Sequence, residues 1–252
     1  MTVLRVEDLS IRFGGIKAVD DVGFEVNEGE VFTIIGPNGA GKTTIFNLLS
    51  RTYPPSSGRM LYRDTELTRV APHEIAGLGI ARTFQNIELF EHATVLDNLL
   101  IGRHCHRASG LFSDLLYSRK THEAEVASRE AVEEVIDLLD LAHYRDARVA
   151  GLPYGVRKVV ELARALAVQP KLLLLDEPSS GLNTEETDDM AWWIRDIKEE
   201  LGVTVLMIEH DMGLVGRVSD RVLALNYGKV IASGTPAEVQ RHPEVVEAYL
   251  GA

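Results

Sequence analysis

The chain has 252 residues, 45% of them hydrophobic and 25% charged, and a formal net charge of -12. That apolar share is enough for one large core and excludes a disordered chain. The acidic balance repels phosphate polymers and anionic lipid surfaces, so nucleic acid is not an expected partner and any nucleotide must be held by local geometry.

The segment from Met1 to Asp8 lacks a basic region followed by an apolar block. The longest apolar runs, 172–175 and 203–208, fall far short of the roughly 18 to 20 residues that a membrane span needs. A cytoplasmic chain is expected, and the single cysteine, Cys105, excludes an intramolecular disulfide.

Residues 3–13 and 18–26 read as strands joined by Gly14-Gly15, with 27–30 turning the chain into a further strand, so an antiparallel β layer is expected. From Glu30 the order is strand 31–35, glycine-rich loop 36–41, then a helix from Lys42 through Leu49. Strand signals vanish over 93–150, where Val132, Val135, Ile136 and Leu139 recur at helical spacing. His104 and His106 flank Cys105, but adjacent ligands diverge and structural zinc sites space theirs, so a metal there is not expected.

Strands return at 171–175, 203–208 and 221–225. Between the first two lies a helix with an apolar stripe of Met190, Trp193, Ile194, Ile197 and Leu201, which makes Trp192 and Trp193 packing residues. Gly234-Thr235-Pro236 and His242-Pro243 each open a helix. The expectation is an α/β fold with a mainly parallel core sheet, an antiparallel β subdomain and a helical subdomain. Its parts are a core of 1–92 and 151–225, helices over 93–150, and a helical extension over 226–252.

The first chemical signal is Gly36-Pro37-Asn38-Gly39-Ala40-Gly41-Lys42-Thr43, followed by Thr44. It fits the phosphate-loop pattern and sits between a strand and a helix, as that pattern requires. Glycines let backbone amides curl around an anion, the helix start adds partial positive charge, Lys42 reaches the terminal phosphates and the Thr43 hydroxyl meets magnesium. The second signal is the apolar run 172–175 ending in Asp176-Glu177. Ligands gather at the carboxyl ends of strands in open α/β sheets. Asp176 is placed to coordinate magnesium, and Glu177 to orient or deprotonate the water that attacks the γ-phosphate.

With these residues the whole chain resembles an ATP-binding-cassette (ABC) ATPase of the phosphate-loop NTPase fold. The family's motif order is matched by Phe13, the phosphate loop, Thr83-Phe84-Gln85, Leu152-Pro153-Tyr154-Gly155, Asp176-Glu177, Ser180-Gly181-Leu182-Asn183 and Glu209-His210-Asp211. The resemblance implies that Phe13 stacks on adenine, Gln85 senses magnesium and the attacking water, and His210 contacts the γ-phosphate. Taken singly, Phe13 reads equally as core, Gln85 as a loop amide and His210 as a surface histidine. The run Ala81 to Asn86 followed by Leu89-Phe90, the insertion Gly110 to Asp114, the run Ile208 to Met212 and the tail Pro243 to Gly251 are similar to the branched-chain amino acid importer type.

The signature loop departs from the family's usual Leu-Ser-Gly-Gly-Gln, because Pro153 stands where a serine contacts the γ-phosphate held by the opposite subunit, and Val156 follows Gly155. Asn183 replaces a common aspartate at the inter-subunit contact. The resemblance implies ATP and magnesium as ligands and two cassettes closing face to face, as a homodimer or with a paralogue. It also implies permease subunits that hold the chain on the inner face of the membrane, and indirectly a periplasmic binding protein. Phe84, Leu89 and Phe90 would form a socket for a permease helix. Other readings are the ATPase of a urea, amide, lipid or lipopolysaccharide system, a non-transport cassette, and a nucleotide kinase. A kinase would lack the Gln85, Gly155 and His210 series.

Overall fold

A computed structural model describes residues 1–106 and 119–250. In chain order the strands and helices are β1 (Thr2–Phe13), β2 (Ile16–Asn27), β3 (Val31–Ile35), α1 (Lys42–Leu49), β4 (Ser57–Tyr62), β5 (Thr65–Glu66) and β6 (Ile80–Arg82). There follow α2 (Val95–Gly102), α3 (Arg119–Leu138), α4 (Tyr154–Ala167), β7 (Leu172–Asp176), α5 (Thr184–Glu199) and β8 (Thr204–Ile208). The chain closes with α6 (Met212–Val218), β9 (Arg221–Asn226), β10 (Lys229–Gly234), α7 (Pro236–Gln240) and α8 (Pro243–Leu250).

The chain divides into two compact units, one of residues 1–85 and 171–252, the other of residues 86–170. The first contains two sheets. One is antiparallel with order β2-β1-β4-β5, and the other has order β10-β9-β3-β8-β7-β6. In the second sheet β6, β7, β8, β3 and β9 are parallel and only the edge strand β10 pairs antiparallel. Every residue of β3, β7 and β8 is buried, as befits parallel strands covered on both faces, which is why they read as nearly continuous apolar runs rather than alternations. Strand 31–35 therefore belongs to the parallel sheet. Here the carboxyl ends of β3, β7 and β8 carry Gly36, Glu177 and Glu209 into the turns that follow.

The second unit is helical, and Val132, Val135, Ile136 and Leu139 are buried at the spacing expected for one face. It runs longer than the expected 93–150 and includes α4, because the apolar face of that helix, Val159, Val160, Leu162, Ala163 and Leu166, is buried while α2 packs along it. The extension over 226–252 opens with a strand, not a helix, since β10 pairs with β9 across the Tyr227-Gly228 turn. On α5, Met190, Ile194 and Ile197 form the buried face, but Trp192 is 61% exposed with Arg195 over its ring and Leu201 lies beyond the helix end, exposed. A helix stripe admits positions three and four apart, and Trp192 falls off it. The sequence Gly110 to Asp114 lies outside the described residues. Among those described, no helix is long and apolar enough to cross a membrane, and no group of three or more His, Cys, Asp or Glu could hold a metal.

Candidate active site

The glycine-rich loop leaves the end of β3 and feeds α1. Two of its glycines are obligatory. A Cβ on Gly36, whose φ is 151°, would lie 2.2 Å from the Leu225 carbonyl oxygen, and one on Gly41, at φ 100°, would lie 2.4 Å from that of Ala18. The backbone of neighbouring strands thus approaches too closely for any side chain. Lys42, the first residue of α1, is buried and donates to the carbonyls of Gly36 at 2.6 Å and Pro37 at 3.1 Å. Burial pulls its ammonium below the ordinary lysine range, with Glu177 and Asp176 pulling back. Those two carboxylates are therefore the electrostatic surroundings of the loop lysine. Gly41 precedes α1 without a side-chain cap, leaving the first-turn amides to another acceptor.

Asp176 ends β7 with its carboxylate 1% exposed. Its amide bonds the Thr83 hydroxyl at 3.2 Å, and Thr83 continues the β6–β7 ladder through its own amide to Leu174. Asp176 Oδ2 accepts from Arg82 Nη2 at 2.9 Å, and Arg82 Nη1 also donates to Asn47 Oδ1 and Ser50 Oγ, both at 2.8 Å. The guanidinium lies over the rings of Phe46 and Phe84. Arg82 was not among the expected site residues, yet one planar fork ties the carboxyl end of β7 to the helix that follows the phosphate loop.

Glu177 turns the chain with φ 51°, a left-handed conformation that costs a residue with a Cβ about 1–2 kcal/mol. Its amide donates to Ile208 at 3.0 Å and its carbonyl accepts from Ser180 at 3.1 Å. So held, its carboxylate receives the Gln85 Nε2 donor at 3.1 Å and stands 3.9 Å from His210 Nδ1. The three residues expected to act on the attacking water and γ-phosphate thus converge, from the ends of three strands. Thr43, Gln85 and Asp176 supply only oxygen donors toward a cation, the hard set that suits magnesium.

His210 owes its place to Glu209, which is fully buried. One carboxylate oxygen of Glu209 accepts from the Ser179 amide at 2.9 Å and hydroxyl at 2.6 Å, and the other accepts from the amides of His210 at 2.8 Å and Asp211 at 3.1 Å. The segment after Glu177 and the turn bearing His210 are joined through one carboxylate. Nothing along the chain signals this role, because Ser179 lies 30 positions before Glu209.

Phe13, at the end of β1, is 45% exposed and meets Tyr53 edge to face at 5.3 Å. Ala40 and Gly228 are bonded through backbone at 3.0 Å, while Thr43 and Thr44 sit half-buried in the first turn of α1. Asn183 is the N-cap of α5, its side chain accepting from the Glu186 amide at 3.0 Å in a reciprocal capping box.

In the helical unit, Leu152 is buried, Pro153 is exposed and Tyr154 begins α4. The first helical position is the one that proline suits, and Pro153 does not occupy it. It is instead the N-cap, where it accepts the first helical bond from Arg157 at 3.0 Å but offers no side-chain acceptor to the turn above it. Leu89 is half-buried and Phe90 is 56% exposed, with its backbone clamped on both sides by the buried Asn98.

Comparison with known proteins agrees with this geometry. Residues 19–180 match the ABC transporter family model, and residues 229–252 match that of the branched-chain amino acid ATP-binding cassette transporter. The chain is 39% identical over 249 residues to the high-affinity branched-chain amino acid transport ATP-binding protein LivG of Escherichia coli K12, covering 99% of this chain and 98% of that one. It is 41% identical over 253 residues to BraF of Pseudomonas aeruginosa, with the same coverage. Among solved structures, a nucleotide-free ATP-binding cassette from an ABC transporter superposes with a TM-score of 0.86 at 33% identity over all of both chains. The ADP conformation of the cassette MJ1267 gives the same values. The chain belongs to the ABC transporter family, as an ATP-hydrolysing cassette that groups with the ATP-binding proteins of branched-chain amino acid transport.

Proposed function

We propose that the chain binds ATP with magnesium and hydrolyses it to drive an importer of branched-chain amino acids. The observation that carries the reading is the meeting of Gln85 and His210 at Glu177, which with Asp176 lies within the electrostatic reach of Lys42. The backbone amides of Gly36, Asn38, Gly39, Ala40 and Gly41 wrap the phosphates while Pro37, which has no N–H, shapes the loop, Lys42 leaves its loop carbonyls for the β- and γ-phosphates, and Phe13 takes the adenine face. Thr43, Asp176 and Gln85 would hold magnesium, which when bound neutralises charge building on the transferred phosphoryl group. Glu177 accepts a proton from the attacking water or fixes its direction, and His210 donates to the γ-phosphate.

The second subunit contributes its signature loop, Leu152 to Gly155, so that amides at the start of α4 meet the γ-phosphate without the serine that Pro153 replaces. Asn183 stands at the same inter-subunit contact. The partners are a second cassette, identical or paralogous, and permease subunits that hold the chain in the cytoplasm at the inner face of the membrane. A periplasmic binding protein delivers the amino acid. Similarity to LivG and BraF over nearly the full chain supports that cargo.

Two variants test the chemistry. Glu177→Gln is expected to retain ATP while turnover falls by at least about 100-fold, the scale of a lost general base. Lys42→Ala is expected to lose ATP retention. Equal ATP binding in Lys42→Ala, or near-parental hydrolysis in Glu177→Gln, would remove these residues from their roles. For cargo, uptake of radiolabelled leucine by cells carrying the complete transporter should cease with Glu177→Gln, and unaltered uptake would refute the assignment.

A further inference from the structure

Arg82 closes β6, paired with Leu174 of β7 in parallel register, and its side chain is 8% exposed. An arginine so deeply buried needs its charge met and its donors placed. Its guanidinium serves two elements at once. Nη2 donates to Asp176 Oδ2 at 2.9 Å, and Nη1 donates at 2.8 Å both to Asn47 Oδ1, within α1, and to Ser50 Oγ, just after it. The guanidinium carbon also lies 5.5 Å from the centroid of the Phe46 ring and 5.1 Å from that of Phe84, which helps to hold its plane. Ser50 is fixed in turn, its hydroxyl donating to the Phe46 carbonyl at 2.7 Å. All of these residues belong to the unit of residues 1–85 and 171–252.

The helix α1 carries Thr43 in its first turn, whereas Asp176 ends β7. The two oxygen donors assigned to magnesium therefore stand on separate elements, and among the described residues no backbone hydrogen bond joins α1 to β7. We propose that Arg82 is a positioning residue for the magnesium site, bracing α1 against Asp176 so that the Thr43 hydroxyl and the Asp176 carboxylate keep one separation. Magnesium demands near-ideal octahedral geometry at short distances, so an error in that separation is felt as lost affinity. Groups that orient metal ligands from behind are a general device. Lysine at 82 would keep a charge beside Asp176, but an ammonium is a point charge and cannot hold both elements as a planar fork does. The inference rests on the reading of Thr43 and Asp176 as magnesium donors, and the parent protein alone tests that reading.

The experiment measures the Kd for ATP, with magnesium and in EDTA, on the full chain in a Glu177→Gln background. The parent is compared with Arg82→Lys and with a double variant, Asn47→Ala with Ser50→Ala, that cuts both links to α1 and leaves the pair with Asp176. The readout is the gain in affinity that magnesium gives. Both variants are expected to lower that gain about ten-fold, the lower end of the scale for groups that orient metal ligands, while the Kd in EDTA stays within about two-fold of the parent's. A gain equal to the parent's in Arg82→Lys overturns the proposal. So does a fall in Arg82→Lys with none in the double variant, which would confine Arg82 to neutralising Asp176, and so does a loss equal with and without magnesium, which would mark general damage. Should Arg82→Lys fail to fold, the double variant decides alone. A parent that gains nothing from magnesium would instead remove Thr43 and Asp176 from the metal, and with them the object of the brace.

Discussion

Glu209 shows why residues matter singly at this site. Both of its carboxylate oxygens are saturated by protein donors, and it is closed to solvent. A glutamine there would set its amide hydrogens against at least one backbone N–H group in either orientation, and a buried donor left without an acceptor costs about 1–3 kcal/mol. Glu209→Gln is expected to lower thermal stability by that amount and to reduce kcat for ATP by more than KM changes, because the turn bearing His210 loses its tether. A lower unfolding temperature with unchanged kcat would reduce Glu209 to a structural residue. The site residues legible in the sequence were those whose chemistry is carried by neighbours along the chain, such as Gly36 to Thr43 and Asp176-Glu177. Arg82 and Glu209 were not, since their partners Asp176 and Ser179 lie 94 and 30 positions away. Only the fold brings them together.

Among the elements, the two departures at the signature and Asn183 positions separate into different physical cases. Asn183 is a strong N-cap, and its place in a capping box accounts for the residue type without any appeal to a partner. Pro153, though at the N-cap, gives α4 no side-chain cap. A serine there adds about 0.5–2 kcal/mol through the cap, while loss of proline returns about 0.4–1 kcal/mol of freedom to the unfolded chain. Pro153→Ser should therefore leave the unfolding temperature nearly unchanged yet strengthen ATP-driven dimerisation, measured by sedimentation in Glu177→Gln. Equal dimerisation would mean that the amides of the first turn suffice. The buried strands 171–175 and 203–208 were legible because a strand covered on both faces is a nearly continuous apolar run. Strands β5, β6 and β10 were not, being short or at sheet edges, and neither was β4, whose first three residues are exposed or half-buried and blur the period. Helix α5 was legible along its buried face and misread at Trp192, whose size suggested burial that its angular position denies.

For the whole molecule, an excess of negative charge has to accept a further polyanion, and Lys42 is the group through which both facts act. Its ammonium is buried beside two carboxylates yet pulled below the ordinary range, with desolvation the largest cause. A lysine depressed in the fold is one whose charge the fold disfavours, so stability lost to it at lower pH is regained as pH rises through the folded value. Lys42→Met removes the charge and keeps the stem, so the nucleotide-free variant should unfold at or above the parent's temperature at neutral pH. Nucleotide reverses the balance, because phosphates supply the counter-charge that burial withholds. ATP at about 100 times its Kd stabilises by about 2.7 kcal/mol, which in a chain of this size is about 5–10 °C in the parent. The methionine variant should show almost none of that shift. Thermal denaturation with and without Mg-ATP in the Glu177→Gln background reads both effects at once. A variant that is less stable alone yet still raised by ATP would contradict the account, since it would mean that Lys42 serves the fold and not the phosphates.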